Sequence, residues 1–323
     1  MIECFCGSGK SLLECCGASD DSYKLAEKFL SIQNKTTINH KWKEHSATIT
    51  LFILDAIELL GKHEKVVVLG AGNCSDINIS LLATYFKKVV LVDIDPAATI
   101  GVVEKVPEEF RNKMEIINED LTGLYYSRVI NDFIASIQKN NIKRINQSLN
   151  NIESEVKRLQ TPLSHLESTC DLVISSCVSS QFFLPLFISL CSELKRKTFS
   201  EIYPTAVTIA NSLANRYLEV IYNIISPAGY LLFVADLFEW SNYGGKLSPF
   251  AKAFPNYKSL GDIKEIILNR PDLRIAGSLP KNILHHFNPI DNNHIISVRQ
   301  WWWEFSPQKR YLVQGHLLEP KIS

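Results

Sequence analysis

The sequence lacks several features that would assign it to a specialised class of protein. Its 34 basic and 34 acidic residues cancel, so no general positive field exists to attract nucleic acid or an anionic membrane. No run approaches the roughly 18–20 apolar residues of a membrane-spanning helix. The N-terminus has neither the cationic start nor the apolar segment of a secretion signal. We therefore expect a cytoplasmic protein with no membrane partner.

Internal repeats and low-complexity segments are absent as well. Hydrophobic residues make up 46% of the 323 positions, which is ample for a core and excludes general disorder. The length suggests one large domain, or one domain with a small appendage.

What the sequence does contain is an alternation of strand and helix patterns. Short apolar runs rich in β-branched residues are typical of strands buried on both faces of a parallel sheet. These runs are 65–70, 88–93, 113–118, 171–175 and 229–236, and two further β-rich runs, 295–305 and 309–317, form a hairpin pattern. We predict an α/β fold, a doubly wound, mostly parallel seven-stranded sheet with an antiparallel C-terminal hairpin.

The patterns divide the chain into three regions. Residues 1–18 form a small cysteine-rich knuckle, 19–60 a helical N-terminal extension, and 61–323 a Rossmann-like domain. A helical stretch at about 122–168 has no strand pattern and is predicted to be an insertion that serves as a lid or cap. Residues 240–258 are predicted to be a second, irregular insertion.

Four of the eight cysteines crowd the start of the chain, at Cys4, Cys6, Cys15 and Cys16. Disulfides are not expected in a reducing compartment, and two of these cysteines are adjacent. Four thiols this close together suit one tetrahedral zinc ion, with sulfur at about 2.3 Å. A segment this short cannot bury enough surface to fold alone, so the metal would supply its folding energy.

The same segment, residues 4–17, reads Cys-Phe-Cys-Gly-Ser-Gly-Lys, a spacer, and then Cys-Cys-Gly. It resembles the SEC-C zinc motif at the tail of the SecA translocase subunit. The resemblance implies zinc held by the four cysteines and a docking role toward a protein partner. A phosphate-loop interpretation of Gly-Ser-Gly-Lys fails because no strand precedes it and the first glycine of that motif is missing.

The strongest functional pattern follows the first strand, where Gly70-Ala71-Gly72 leads into a helix. Glycine permits a sharp turn and lets a cofactor approach the main chain. The next strand ends at Asp93, about 21 residues beyond Gly72, where a carboxylate can accept both hydroxyls of a ribose. These features fit NAD and S-adenosylmethionine equally well.

Three further features separate the two cofactors. Asp120 follows the third strand, the turn Pro227–Gly229 precedes the fifth, and the terminal hairpin replaces the parallel strand usual in nicotinamide-binding sheets. Together these resemble the class I S-adenosylmethionine-dependent methyltransferases over roughly residues 60–317. The resemblance implies that the cofactor is held by Gly70, Ala71, Gly72, Asp93, Asp120 and Ser176.

Two departures from the family pattern leave alternatives open. Val68 stands where the family usually has an acid, and Cys74 replaces the third glycine. A second hypothesis is therefore a non-catalytic protein with the methyltransferase fold, tethered to a translation or secretion component by its zinc knuckle. A third, a nicotinamide oxidoreductase, is disfavoured by the hairpin.

The resemblance places the methyl acceptor beside the end of the fourth strand. Ser176-Cys177-Val178-Ser179 replaces the Asn/Asp-Pro-Pro-Tyr motif of enzymes that methylate adenine N6 or glutamine side chains, so those substrates lose support. Catalytic candidates are Ser176, Cys177 and Asp236, although a small buried hydrophobe is the favoured interpretation of Cys177. We expect a small-molecule or protein substrate rather than nucleic acid.

Aromatic residues and histidines give weaker indications. Strand alternation predicts Trp301 and Trp303 on one face of the hairpin, packed against helices, with the tryptophan between them on the other face. Trp42 and His45 lie one helical turn apart and either pack between helices, the favoured interpretation, or close over the cofactor. The pair at 285–286 fits a solvated loop better than a general base.

Overall fold

One mixed sheet forms the centre of the molecule, and helices cover both of its faces. The computed structural model describes residues 4, 8–10, 15, 22–36, 42–192, 194–255, 266, 269–280 and 295–319. The strands are β1 (Lys65–Leu69), β2 (Lys88–Asp93), β3 (Met114–Asn118), β4 (Cys170–Ser176), β5 (Ile225–Tyr243), β6 (Lys246–Leu247), β7 (Ile295–Ser306) and β8 (Lys309–Leu318). The helices are α1 (Ser22–Thr36), α2 (Lys43–Leu59), α3 (Ile79–Tyr85), α4 (Pro96–Lys105), α5 (Glu108–Arg111), α6 (Val129–Gln138), α7 (Ile142–Val156), α8 (Leu184–Cys191), α9 (Arg196–Ile224) and α10 (Pro249–Ala253).

The order of strands across the sheet is β3-β2-β1-β4-β5-β8-β7, and the short β6 pairs with β5. Strands β1 to β5 run parallel, whereas β8 is antiparallel to β5 and to β7. This order with an antiparallel end is typical of the class I methyltransferase fold, so the predicted fold class is confirmed. The order reverses between β1 and β4, and ligands of such sheets bind in the crevice beyond that point.

The central strands are buried on both faces because their apolar residues run without interruption. In β1, Val67 and Leu69 enter one core, while Val66 and Val68 enter the other. Val68, the residue found where the resembled family has an acid, is 0% exposed. An ionised carboxylate at that depth would be costly, so this position serves the core.

The N-terminal extension is helical, as predicted, and its two helices α1 and α2 belong to different cores. Leu25 and Phe29 of α1 belong to the same core as α6–α9. Phe52 and Ile53 of α2 belong to the other core, against the hairpin. The extension therefore contributes to both cores, and its boundary as a separate unit at residue 60 stays a prediction.

Strand β5 is longer than the run at 229–236 predicts. It continues to Tyr243 because β8 pairs with it from Leu231 to Ser241, with a bulge between Asp236 and Phe238. The prediction of irregular structure from residue 240 was therefore wrong over its first part, where the end of β5, β6 and α10 follow one another. The conformation of this segment is therefore set by its pairing with a distant strand rather than by local propensity.

The insertion at about 122–168 is helical, as predicted, and contains α6 and α7. Phe133 of α6 and Leu149 of α7 are 0% exposed within the core that also holds α8 and α9. These helices pack on each other and on α8 and α9, and their interpretation as a lid or cap stays a prediction. Within the described residues, no helix is both long and apolar enough to cross a bilayer.

Candidate functional site

A cavity of about 460 Å³ lies at the C-terminal ends of the central strands. This volume falls in the range of about 300–1,000 Å³ that small-molecule sites occupy. We call one part of its lining the glycine side, which consists of Gly70, Ala71, Gly72, Asn73, Cys74, Asp76 and Asp93. We call the other part the hairpin side, which consists of Trp42, Asp236, Trp303, Phe305, Lys309 and Tyr311.

The glycine side begins with a sharp turn at the end of β1. Gly70 and Gly72 have φ of +62° and +48°, in the left-handed region that glycine adopts without steric cost. The Gly72 amide donates a hydrogen bond of 2.7 Å to Oδ2 of Asp93. The turn after β1 is thereby joined to the end of β2, and both predicted cofactor elements line one cavity.

Side chains as well as open space face the two glycines. A Cβ atom at Gly70 would lie 2.6 Å from Cγ2 of Val178, and one at Gly72 would lie 2.9 Å from Oδ1 of Asn34. Asn34 belongs to α1, and its Nδ2 donates to Oδ2 of Asp95 at 3.1 Å. Asn34 of the N-terminal extension thus packs against the glycine turn.

Asp93 and Asp95 have different roles. Asp93 accepts the amides of Gly72 and, at 2.8 Å, of Asp95, and burial nevertheless raises the pKa of Asp93 to about 6. Each carboxylate oxygen keeps acceptor capacity for a further donor such as a hydroxyl. The side chain of Asp95 caps α4 by accepting the amides of Ala97 and Ala98, so it is a helix-start residue.

Asp76 received no role from the sequence, yet it brings a second carboxylate to the glycine side. The Ser176 hydroxyl donates to Oδ2 of Asp76 at 2.6 Å, and Nε2 of His45 lies 3.6 Å from the same oxygen. The indole of Trp301 donates to Nδ1 of His45 at 2.9 Å, which leaves the ring hydrogen on Nε2, facing Asp76. Burial raises the pKa of Asp76, but the contacts with His45 and Ser176 outweigh it, so the pKa lies below its ordinary value.

Asp120 lines the cavity, as the resemblance implies for the adenine site. Its carboxylate accepts the amide and hydroxyl of Thr122 at 2.9 and 2.7 Å and the amide of Tyr125 at 2.8 Å. Burial raises the pKa of Asp120 in spite of these bonds. The side chain therefore organises its own loop, and its contact with a cofactor stays a prediction.

The catalytic candidates after β4 also line the cavity. Cys177 has φ of +53°, and its amide donates to the carbonyl of Val234 at 2.9 Å. Burial, and then the carboxylates of Asp236 and Asp76, raise the pKa of the Cys177 thiol well above its ordinary value. A thiol held protonated is a poor nucleophile and a poor base, so Cys177 is better suited to lining the wall.

Asp236 differs from the other carboxylates because one of its oxygens is unused. The Ser180 hydroxyl donates to Oδ2 at 3.0 Å, whereas Oδ1 is buried without a hydrogen-bond partner among the described residues. The residue is 3% exposed, and burial raises its pKa to about 7. A buried acid on the cavity wall, with a pKa near neutrality and an oxygen that has no partner among the described residues, is a candidate general base.

Apart from Asp236 and Lys309, the hairpin side is aromatic. The ring of Trp42 lies 4.7 Å from that of Trp303 and 5.4 Å from that of Phe305, and Phe305 lies 5.4 Å from Tyr311. The amine of Lys309 pairs with Glu239 at 3.0 Å. The sequence did not predict this wall, although alternation along β7 places Trp303 and Phe305 on one face.

The predicted arrangement of the tryptophans is confirmed. Trp301 and Trp303 lie in the core that includes α2, while Trp302 packs against the other core. His45 is 1% exposed and stacks on Trp303 at 4.1 Å, so it serves helix packing as favoured above. Trp42 packs too and also lines the cavity, and its closure over a cofactor stays a prediction.

The predicted zinc ligands are described in part. Cys4 is buried and its amide donates to the carbonyl of Lys10 at 2.6 Å, while Cys6 and Cys16 lie outside the described residues. Within the described ranges, no three potential ligands come together to form a metal site. The zinc knuckle stays a prediction, and the histidine pair at 285–286 also lies outside the described residues.

Comparison with known proteins gives matches to solved structures. No protein-family profile and no curated protein matches the chain. The N-methyltransferase NodS from Bradyrhizobium japonicum, in complex with S-adenosylhomocysteine, is 10% identical and covers 92% of this chain and 98% of its own, with a TM-score of 0.42. A SAM-dependent methyltransferase from Aquifex aeolicus is 11% identical, and the match covers 89% of this chain and 97% of that one, with a TM-score of 0.41. A SAM-dependent methyltransferase from Anabaena variabilis is 12% identical, and the match covers 92% of this chain and 94% of that one, with a TM-score of 0.40. The assignment of the fold rests on the strand order.

Proposed function

We propose that the protein is an S-adenosylmethionine-dependent methyltransferase that acts on a small-molecule or protein substrate. One observation carries the proposal. The amide of Gly72 is bonded to the Asp93 carboxylate at the edge of a cavity, next to the point where the strand order reverses. This arrangement gives a ligand both main chain that lines the cavity and a two-oxygen acceptor.

The donor set of the glycine side fits S-adenosylmethionine. The oxygens of Asp93 can accept the two ribose hydroxyls, and the ionised Asp76 can balance a positive charge. When bound, the cofactor supplies a methyl group activated by a sulfonium. The chain's own task is then to align an acceptor with that methyl group and to take up a proton, for which the candidate is Oδ1 of Asp236, buried without a partner among the described residues.

Calorimetry with S-adenosylmethionine tests the proposal. We expect the wild-type protein to bind it and Asp93→Ala to abolish binding, since the variant loses the ribose acceptor. Asp272→Ala, which alters an exposed aspartate paired with Arg270, is the matched control and should bind normally. Thermal unfolding checks that each variant is folded. Absence of heat with the wild type would refute the proposal.

A second candidate function is binding without catalysis. It is favoured by the buried Val68, and by Val178 and Asn34, which occupy space beside the two glycines. In that case the zinc knuckle would tether the chain to a translation or secretion component. A partner that is retained by Asp93→Ala but lost by Cys4→Ser, together with no binding of S-adenosylmethionine, would support this candidate.

The proposal includes zinc bound by Cys4, Cys6, Cys15 and Cys16. It is supported by the spacing of the cysteines and by the Ser8 hydroxyl, which donates to Sγ of Cys15 at 3.1 Å and so joins the two halves of the segment. Elemental analysis should find about one zinc per chain. Cys4→Ser should lower the zinc content, and Cys191→Ala, in the core, should leave it unchanged.

A further inference from the structure

The charge of the cavity wall restricts the methyl acceptor. Five of the described residues that line the cavity carry carboxyl groups and one carries an amine; these are Asp76, Asp93, Glu119, Asp120, Asp236 and Lys309. The amine of Lys309 is already paired with Glu239 at 3.0 Å. A cavity walled by one sign of charge concentrates ions of the opposite sign, so anionic acceptors are disfavoured and cationic ones are attracted.

The carboxylates differ in what they can offer a ligand. Asp76 and Asp93 lie on the glycine side, where the proposed donor binds. Glu119 accepts the amide of Asp120, and Asp120 is bonded within its own loop. Only Asp236 lies on the hairpin side, 3% exposed, with Oδ1 unpartnered among the described residues. A buried carboxylate oxygen without a donor is costly, and a ligand that brings an N–H group would satisfy it.

The aromatic rings of the hairpin side suit the same kind of ligand. Ring faces attract cations within about 6 Å of their centroids. Lys309 already uses this property, since its Nζ lies 5.2 Å from the centroid of Tyr311 and 5.9 Å from that of Phe305. Trp42 and Trp303 extend the aromatic surface along the cavity.

From these observations we infer that the acceptor is a basic amine, bound as an ammonium ion on the hairpin side, with Oδ1 of Asp236 as the base. The inference rests on the proposed function. Asp236 takes one proton from the ammonium, and the freed lone pair forms the bond from nitrogen to the methyl carbon. The carbon–sulfur bond breaks with its electron pair moving to sulfur, which becomes a neutral thioether. The product leaves as a methylated ammonium, and the proton on Asp236 passes to solvent.

A panel of matched acceptors tests the inference. The full chain is first titrated with S-adenosylhomocysteine and then assayed with methyl-labelled S-adenosylmethionine. The probes are 2-phenylethylamine, spermidine and a lysine-containing peptide, with 2-phenylethanol and 3-phenylpropanoate as neutral and anionic analogues. We expect label in at least one amine and none in the analogues, and the peptide distinguishes a protein amine from a small molecule.

Variants separate this inference from the proposed function. Asp236→Asn should lower transfer to the amine about 100-fold and leave the affinity for S-adenosylhomocysteine within about twofold. Glu115→Gln, on β3 at the far edge of the sheet, is the control and should change neither. If the protein prefers the alcohol or the carboxylate, or if transfer is unchanged in Asp236→Asn, the inference of a basic amine acceptor with Asp236 as the base is refuted, while the proposed function stands. Failure of the wild type to bind S-adenosylhomocysteine would overturn both.

Discussion

The glycine side and the hairpin side of the cavity are built in different ways. The glycine side comes from one stretch of chain, Gly70 to Asp93, and the bond from the Gly72 amide to the Asp93 carboxylate joins its two ends. The hairpin side brings together Trp42, Asp236 and the β7–β8 hairpin, and it consists of side chains. A ligand common to many enzymes can be held by backbone, whereas a ligand particular to one enzyme needs side chains.

This contrast predicts which ligand a substitution in the cavity should affect. Substitutions on the glycine side should act on the donor, because the backbone conformation itself is the binding element. Substitutions on the hairpin side should act on the acceptor and leave the donor bound. The following predictions test that separation.

The largest expected effect is the pH dependence of methyl transfer. Burial raises the pKa of Asp236 to about 7, and a base must be unprotonated, so kcat/KM should rise about tenfold per pH unit below pH 7. Lys309 and Tyr311 on β8, Glu239 on β5 and Cys177 after β4 surround this carboxylate. The kcat/KM for the amine between pH 5 and 9 measures the profile, because this ratio reports ionisations of the free enzyme. A profile without this rise, or one that survives in Asp236→Asn, would contradict the role of Asp236.

Gly70→Ala should have the next largest effect and act on the donor. The added Cβ meets Val178 at 2.6 Å, and φ is +62°, so we expect a loss of about 1–3 kcal/mol in the free energy of unfolding. The displaced turn should weaken binding of S-adenosylhomocysteine at least about tenfold (1.4 kcal/mol). Gly101→Ala, in α4 with open space around it, is the control and should be slightly stabilising.

Trp303→Leu should act on the acceptor. Trp303 lines the cavity, whereas Trp302 on the same strand packs on the opposite face with Arg310, 4.4 Å from its ring. We expect Trp303→Leu to raise the KM for the amine about tenfold, roughly 1.4 kcal/mol, with the donor Kd unchanged. Trp302→Leu should leave both constants near the wild-type values. Equal effects of the two variants would mean that Trp303 acts only through stability.

The smallest effect should come from His45, which lies behind the glycine side. His45→Leu removes the contact that opposes burial at Asp76, so the pKa of Asp76 should rise. A carboxylate with a raised pKa loses charge as pH falls, so the donor Kd should increase a few-fold at pH 6 and less at pH 8. His45→Gln, which can still offer an N–H to Asp76, should recover part of the affinity. Calorimetry at the two pH values measures this, and a pH-independent change would rule out a charge effect.

The glycine side was the part of the site most open to prediction. Its strands alternate with helices at short spacing, and the separation of Gly72 and Asp93 is set by one β-α-β unit. Asp76 could have been found as an acid at the end of the glycine loop. The partners of Asp76 could not have been predicted. Ser176 is 100 residues further along the chain, and His45 belongs to α2, so only the folded structure brings them to Asp76.

The sequence by itself determined the sheet, the glycine turn and the acid at Asp93, because each depends on residue types within one or two neighbouring elements. Only the tertiary structure decided the length of β5, the bulge at Asp236 and the aromatic wall. These depend on pairing with β8 and on contacts between residues more than 200 positions apart, such as Trp42 and Trp303. Local periodicity carries no record of such contacts, since any apolar face can pack against several partners.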